Sequence, residues 1–264
     1  MTPSASRPDA HAMMARSTLE DAGPEHDELM DEYHEQEHHS SGSALSDKPS
    51  PYTAAHSKPP VDSSTTNATN RRPLKREVRV LGIDDAPFDK YKSRLVLTVG
   101  AVFRGGEWLD GILSTKVRRD GDDSTMKLAR MITSSRHHLQ LQAIMIDGIA
   151  LAGFNVIDIN KLAEMTKLPV VTLIREMPDM ARIDKALENV PDAEKKRELM
   201  RKAGPIERLE FKQGVCFGQM AGISKQRVIE LLDVTCTRSL VPEPLRVAHI
   251  IASGIVLGES KGRA

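Results

Sequence analysis

The sequence contains little cysteine, and its two cysteines are far apart. Cys216 and Cys236 do not form the closely spaced pairs that mark zinc knuckles or redox-active thiols. The sequence shows no secretory signal, and no apolar run approaches the ~18 residues needed to cross a bilayer. We therefore expect a soluble, cytoplasmic protein with reduced thiols and no membrane partner.

Several cofactor and hydrolase signatures are also missing. The glycines fit neither the dinucleotide fingerprint nor the Walker pattern, so no nucleotide cofactor is expected. No G-x-S-x-G nucleophile elbow occurs, and the only histidines beyond residue 76 are His137, His138 and His249. A serine or cysteine hydrolase with a catalytic histidine is therefore not indicated.

The composition divides the chain near Arg76. Residues 1–76 are rich in Ser, Thr, Pro, His, Asp and Glu, and they carry 12 acidic against 8 basic residues. Such a segment buries too little apolar surface to offset the entropy of ordering, so we predict a disordered polar and acidic tail over 1–76. Residues 77–264, with 29 basic against 25 acidic residues, are predicted to form one domain. This basic excess permits contact with nucleic acid without indicating it.

The hydrophobic pattern beyond residue 77 predicts an α/β fold. Three runs rich in β-branched residues predict an antiparallel meander, at 78–83, 94–103 and 108–117. Helical periodicity then alternates with short apolar strands, at 124–138, 143–146, 159–166 and 170–174. The remaining elements are an extended piece at 211–219 and helices within 180–203, 224–233 and 244–257. A three-strand meander followed by parallel βα units predicts a ribonuclease H-like mixed sheet flanked by helices.

Aspartates follow the ends of two predicted strands. Asp84 and Asp85 come directly after Ile83, and Asp147 follows the strand at 143–146. If these strands are neighbours in the sheet, the carboxylates of Asp84 and Asp147 meet at one edge. The loop Asp120-Gly121-Asp122-Asp123 would return a third acid toward the same edge.

Three convergent carboxylates repel one another and take up protons unless a cation is bound. Mg²⁺, or Mn²⁺ in its place, prefers hard oxygen ligands and binds through one or two carboxylates together with water and substrate phosphate. The pattern therefore favours metal-assisted hydrolysis of a phosphodiester. The alternative is that these aspartates are ordinary turn and capping residues, which is the usual interpretation of each one taken singly.

His249 lies in the segment Pro242–His249, where a proline favours the first turn of a helix. A buried, hydrogen-bonded histidine is the ordinary interpretation. The functional alternative is that His249 and Arg246 orient the acidic cluster or a phosphate.

From about Val80 onward the sequence resembles the endonuclease dU family, which is related to endonuclease V. The resemblance rests on LGIDD at 81–85, DGDDST at 120–125, IDG at 146–148, GFN at 153–155, AGI at 221–223 and VPEPLRVAHIIASGIVLGES at 241–260. It implies a ribonuclease H-like fold, a divalent-metal site and cleavage of DNA that contains a deaminated base. Deoxyuridine is the implied lesion, and DNA repair is the implied role.

The resemblance also implies roles for individual residues. Asp84 matches the first-strand aspartate of endonuclease V, Asp147 matches its Asp-Gly aspartate, and Asp123 occupies the region of its glutamate. These three are the predicted metal ligands. Arg175 falls where endonuclease V has a lysine near the scissile phosphate, so the charge is kept with a different geometry. The predicted substrate-binding residues are Arg246, His249, Asn155 and Gly148.

Two features of endonuclease V have no counterpart in this sequence. No strong metal ligand stands near Ile223 and Ser224, and the second strand lacks the aromatic-proline wedge that parts the strands. The choice between one and two metal ions therefore stays open. Two alternatives also stay open: a non-catalytic module of the same fold that binds nucleic acid or protein, and an inosine-directed RNA endonuclease.

Overall fold

The structure is a computed structural model that describes residue 74 and residues 76–260. The predicted disordered tail, residues 1–76, lies almost entirely outside the described residues, and that prediction stays untested. Across the described part of the chain, no helix is both long enough and apolar enough to cross a membrane.

The described residues contain nine strands, six α-helices and one 3₁₀ turn at His138–Gln140. The strands are β1 (Arg79–Asp85), β2 (Leu95–Arg104), β3 (Trp108–Arg118), β4 (Ala143–Asp147), β5 (Ala150–Leu151), β6 (Asn155–Val156), β7 (Val170–Ile174), β8 (Glu207–Phe211) and β9 (Gly214–Ala221). The helices are α1 (Ser124–Thr133), α2 (Ile159–Thr166), α3 (Met180–Leu187), α4 (Ala193–Lys202), α5 (Lys225–Thr235) and α6 (Glu243–Leu257).

Seven strands form one mixed sheet in the order β3-β2-β1-β4-β7-β9-β8. The first three strands pair antiparallel, and β4 and β7 then add in parallel to β1. The hairpin of β8 and β9 closes the other edge, with β9 antiparallel to β7. This order confirms the predicted ribonuclease H-like sheet.

Apolar layers cover both faces of this sheet. On one face α1, α2 and the end of α4 pack over Ile83 and Ile146, and on the other α5 and α6 pack over Val80 and Met145. Side chains alternate between faces along a strand, so β1 and β4 contribute to both layers. Burial on both faces explains why their sequences are nearly continuous apolar runs.

Two predicted elements differ from the structure, and one hairpin was not predicted. The helix predicted at 124–138 ends at Thr133, where the Ser135 hydroxyl accepts a hydrogen bond from the His137 backbone N–H at 3.0 Å and competes with helical pairing. The extended piece at 211–219 is the β8–β9 hairpin, whose turn uses Gly214 at a φ of 142°. Strands β5 and β6 have two residues each, too few for a periodic pattern.

Asp110 of β3 links the three antiparallel strands at their outer end. Its Oδ1 accepts a hydrogen bond from Arg104 Nη2 of β2 at 2.8 Å, and its Oδ2 accepts one from Arg79 Nε of β1 at 3.0 Å. The hydrogen bond from Arg104, helped by Arg79, lowers the pKa of Asp110 below its usual range. A carboxyl whose pKa falls on folding stabilises the fold above its unfolded pKa and loses that contribution as pH falls through the folded pKa.

We expect Asp110→Asn to lower the free energy of unfolding at pH 7 by about 1 kcal/mol. The deficit should shrink as pH falls below about 4, because the Asp110 carboxyl of the unfolded wild-type chain then takes up a proton that the folded protein does not yet bind. Urea denaturation at pH 7 and pH 3 measures both effects. Asp184→Asn, which removes an exposed pair with Arg197, is the matched control and should cost less than about 0.5 kcal/mol. Equal costs for the two variants at pH 7 would contradict a stabilising role for Asp110.

Candidate active site

The pairing of β1 with β4 places Asp84 beside Asp147. Ile83 lies opposite Ile146 in this parallel pair, and each aspartate is the next residue along its strand. Gly148, at a φ of 76°, then turns the chain away from the sheet. Both carboxylates line a cavity of about 900 Å³ at the carboxyl ends of the parallel strands. The structure thus brings together the two aspartates that the strand pattern singled out.

His249 of α6 orients the Asp84 carboxylate. Its Nδ1 donates a hydrogen bond to Asp84 Oδ2 at 2.9 Å, and the Asp85 backbone N–H donates to Oδ1 at 2.8 Å. The two side chains are only 12% and 9% exposed, so water competes little for this contact. Each carboxylate oxygen still has a lone pair for a further ligand. His249 is thus a largely buried, hydrogen-bonded histidine, as the ordinary interpretation has it, and its partner is a carboxylate of the acidic cluster.

Asp85 is a third carboxylate of the cavity, and it was not among the predicted metal ligands. Its Oδ2 accepts a hydrogen bond from the Ala152 backbone N–H at 3.0 Å. Desolvation raises the pKa of Asp85 well above its usual range, and the charges of Asp84 and Asp147 raise it further. Side chains alternate along a strand, so the pattern alone offered no reason to expect both Asp84 and Asp85 in one site.

The acidic loop at 120–123 does not line this cavity. Asp123 accepts hydrogen bonds from Asn155 Nδ2 at 2.7 Å and from the Arg118 backbone N–H at 3.1 Å. Asn155 is fully buried, and it also donates to the Arg118 carbonyl at 2.8 Å and accepts from the Ser124 N–H at 3.0 Å. Neither Asp123 nor Asn155 therefore lies with the two strand-end aspartates. The physical reason is that the loop folds back on the β5–β6 hairpin, where the Phe154 N–H donates to an aspartate of the loop.

Of the two arginines predicted from the sequence, one lines the cavity and the other does not. Arg175 follows β7 directly and lines the cavity. Arg246 lies outside the cavity lining, and its Nε and Nη2 donate to Glu243 Oε2 at 2.9 and 2.6 Å. Arg197 and Arg201 of α4 also line the cavity, and neither was predicted from the sequence. Their four-residue spacing, which places them on one face of a helix, was the available signal.

A close approach of α6 to β1 makes the His249 contact possible. A Cβ added at Gly82 would lie 2.6 Å from Pro244 Cβ and 2.5 Å from the Leu245 backbone nitrogen. Any side chain at this position would push the start of α6 away from the strand that carries Asp84.

The residues of the cavity fit a hard divalent cation. Asp84 and Asp147 offer carboxylate oxygens, and Asp85 lies beside them with a pKa raised first by desolvation and then by their charges. Among the described residues, no three His, Cys, Asp or Glu side chains form a complete ligand set. Mg²⁺ needs only one or two carboxylates, since water and substrate phosphate complete its shell. Burial raises the pKa of Cys216, also in the cavity wall, to about 12, so its thiol is protonated at neutral pH.

An acidic cavity at the ends of β1 and β4 of a ribonuclease H-like sheet, with arginines in its wall, has the features of a hydrolase that acts on nucleic acid. Comparison with known proteins agrees, because the sequence profile described as Endonuclease dU matches residues 76–256. The chain belongs to the endonuclease dU family.

Relatives of the chain include archaeal proteins that are about as long as the region matched by the family profile. A UPF0215 protein of Methanothermobacter thermautotrophicus is 50% identical over 196 residues, which are 74% of this chain and 96% of that protein. A crystal structure of a protein of unknown function from Archaeoglobus fulgidus superposes with a TM-score of 0.62 at 37% identity, covering 67% of this chain and 98% of that one. Endonuclease V of Ciona intestinalis, in complex with inosine-containing DNA, superposes with a TM-score of 0.45 at 14% identity, covering 69% and 86%.

We expect Gly82→Ala to lower the free energy of unfolding by about 1 to 3 kcal/mol, because the added methyl group collides with the backbone of α6. Gly254→Ala is the matched control. Gly254 lies within α6, and a Cβ there meets nothing within 4 Å. That variant should gain about 0.5 to 1 kcal/mol from the higher helix propensity of alanine. Urea denaturation measures both, and a neutral Gly82→Ala would contradict the proposed tight packing.

Proposed function

We propose that this protein is a metal-dependent endonuclease that hydrolyses phosphodiester bonds in DNA containing deaminated bases. Deoxyuridine is the proposed lesion, and DNA repair is the proposed role. The observation that carries the proposal is the placement of Asp84 and Asp147 at the ends of two adjacent parallel strands in one cavity. Membership of the endonuclease dU family supports it.

Asp84 and Asp147 would hold Mg²⁺ or Mn²⁺, with Asp85 adjacent to both. When bound, a divalent cation supplies activation of water and stabilisation of the charge that develops on the phosphate. His249 orients the Asp84 carboxylate through the hydrogen bond from Nδ1. Arg175 contacts the phosphate from the neighbouring strand end.

The size of the cavity supports entry of a nucleotide turned out of the stack. A volume of about 900 Å³ lies in the upper range of small-molecule sites. Recognition of a single base inside a pocket requires such extrusion, which costs least where pairing is already weakened. A deaminated base in a mismatch meets that condition.

Cleavage of defined substrates tests the proposal directly. The DNA substrates are duplexes of one sequence that carry uracil, hypoxanthine or no lesion, and the RNA substrates are duplexes with and without inosine. Each is assayed in Mg²⁺ or in EDTA. We expect nicking of uracil-containing DNA in Mg²⁺ only, and a loss of about a thousandfold in Asp147→Ala, equivalent to roughly 4 kcal/mol of transition-state stabilisation. Asp89→Ala, outside the cavity lining, is the matched control and should cleave as the wild type does.

Each other outcome selects an alternative. Cleavage of inosine-containing RNA alone would identify an RNA endonuclease. No cleavage of any substrate by folded protein would favour the non-catalytic binding module.

Metal binding can be measured separately from cleavage. We expect Asp84→Asn and Asp147→Asn each to weaken Mn²⁺ binding by more than about tenfold, because each removes a carboxylate from the ligand set. The electron paramagnetic resonance signal of free Mn²⁺ gives the affinity. Asp89→Asn should bind as the wild type does. Unchanged affinity in both cavity variants would remove Asp84 and Asp147 from the metal site.

A further inference from the structure

The cavity extends from the aspartates along the sheet to β9, where Gln219 forms part of its wall. Gln219 lies opposite Thr172 of β7 and is 7% exposed. Strand β9 is two strands from β4, so the backbone of Gln219 lies about 10 Å across the sheet from that of β4. The side chain of Asp147 leaves β4 on the face of α6, whereas that of Gln219 leaves β9 on the face of α4. The cavity joins the two faces around the carboxyl end of β7, where Arg175 also lines it. A nucleotide whose phosphate lies at Asp147 can therefore reach Gln219 with its base by passing over that strand end.

Two backbone carbonyl groups orient the Gln219 amide. Its Nε2 donates hydrogen bonds to the Gly204 carbonyl at 2.7 Å and to the Met200 carbonyl at 3.4 Å. Carbonyl oxygens only accept, so the nitrogen end of the amide must face them, and both of its hydrogens are engaged. Oε1 is the remaining polar atom of this side chain, and it makes no hydrogen bond to any described residue. Toward a ligand, Gln219 is therefore an acceptor with a defined direction.

The hydroxyl of Thr172, beside Gln219, is already engaged. Thr172 Oγ1 accepts a hydrogen bond from the Gln219 backbone N–H at 3.2 Å and donates one to the Gln219 carbonyl at 3.5 Å. The hydroxyl thus supports the backbone that carries the amide and does not compete for a ligand at Oε1.

Apolar side chains form much of the wall around Gln219. They come from α3, from α4 and from the segment before β8, and they are Met180, Ile183, Met200 and Ile206. Thioether side chains adapt their shape and make favourable contacts with aromatic rings. An apolar pocket with an oriented acceptor in its wall suits a flat heterocycle that carries a ring N–H.

We infer that Gln219 Oε1 recognises the ring N–H of a deaminated base, and so sets the preference of this site for uracil over cytosine and for hypoxanthine over adenine. Thymine and guanine carry the same ring N–H and are not excluded by this contact. Deamination changes a ring nitrogen from acceptor to donor: N3 of cytosine has a lone pair, whereas N3 of uracil carries a hydrogen. The same change separates N1 of adenine from N1 of hypoxanthine. An acceptor held in one direction accepts a hydrogen bond from the N–H of the deaminated ring. Against the parent ring it meets a lone pair instead, which repels it. The inference rests on the proposed function and names the residue that sets its specificity.

Binding of single-stranded oligonucleotides tests this role without cleavage. Fluorescence anisotropy in EDTA gives dissociation constants for otherwise identical strands with one central uracil, cytosine, hypoxanthine or adenine. We expect the wild type to bind the uracil strand about tenfold more tightly than the cytosine strand, the effect of about one hydrogen bond. Gln219→Met should bring this ratio close to one by weakening the uracil strand. Gln213→Met, the same change in the exposed turn between β8 and β9, should keep the wild-type ratio.

Two results would overturn the inference: a wild-type ratio near one, and a ratio that survives Gln219→Met. If circular dichroism shows that Gln219→Met does not fold, a strand with N3-methyluracil replaces the variant. The methyl group removes the donor, so the wild type should lose its preference. Undiminished binding of the methylated strand would overturn the inference equally.

The cleavage assay keeps this inference apart from the proposed function. A wild type that prefers uracil in binding but nicks no substrate would support recognition by Gln219 and overturn the nuclease. A wild type that nicks uracil-containing DNA while Gln219→Met keeps the binding preference would support the nuclease and overturn the role of Gln219.

Discussion

The packing of α6 directly against β1 is the constraint on which the site depends. Because Gly82 has no side chain, the backbone at Pro244 and Leu245 lies against the strand. This contact sets how deeply α6 lies, and one turn further along the helix it brings His249 to Asp84. The same face of α6 contributes to the apolar layer under the sheet, through Leu245, Ala248 and Ala252. Fold stability and the orientation of one carboxylate of the candidate site therefore have a common origin.

Neighbouring hydrogen-bond donors offset only part of the negative charge of the aspartates at the carboxyl end of the sheet. Asp84 has a histidine and a backbone N–H, and Asp85 has the backbone N–H of Ala152. The pKa of Asp85 nevertheless remains raised, first by desolvation and then by the two neighbouring charges. Carboxyl groups whose pKa is raised by burial and by neighbouring charges in a cavity are common at functional sites. Three arginines, Arg175, Arg197 and Arg201, line the same cavity.

The local sequence pattern was sufficient to predict the helices and strands and the aspartates at strand ends. It was not sufficient to predict the direction of the loops. The meander and the parallel strands were predicted because their apolar runs have the length and composition of buried strands. Asp84 and Asp147 followed from those strands, since parallel neighbours end at one edge. Asp123 was expected with them because its loop joins β3 to α1. The direction of that loop depends on hydrogen bonds to Asn155, more than thirty residues away, which no local pattern records.

The sequence by itself determined the class of the fold, the antiparallel meander followed by parallel strands, and the convergence of two aspartates, because these follow from hydrophobic periodicity and from the geometry of parallel pairing. Only the tertiary structure decided that Asp85 is the third carboxylate, that His249 orients Asp84 and that Gln219 presents an acceptor to the cavity. Asp84 and His249 are 165 residues apart in the chain. Their contact, like the orientation of the Gln219 amide by two carbonyl groups of another element, depends on side-chain direction and helix packing, which become defined only when the elements assemble.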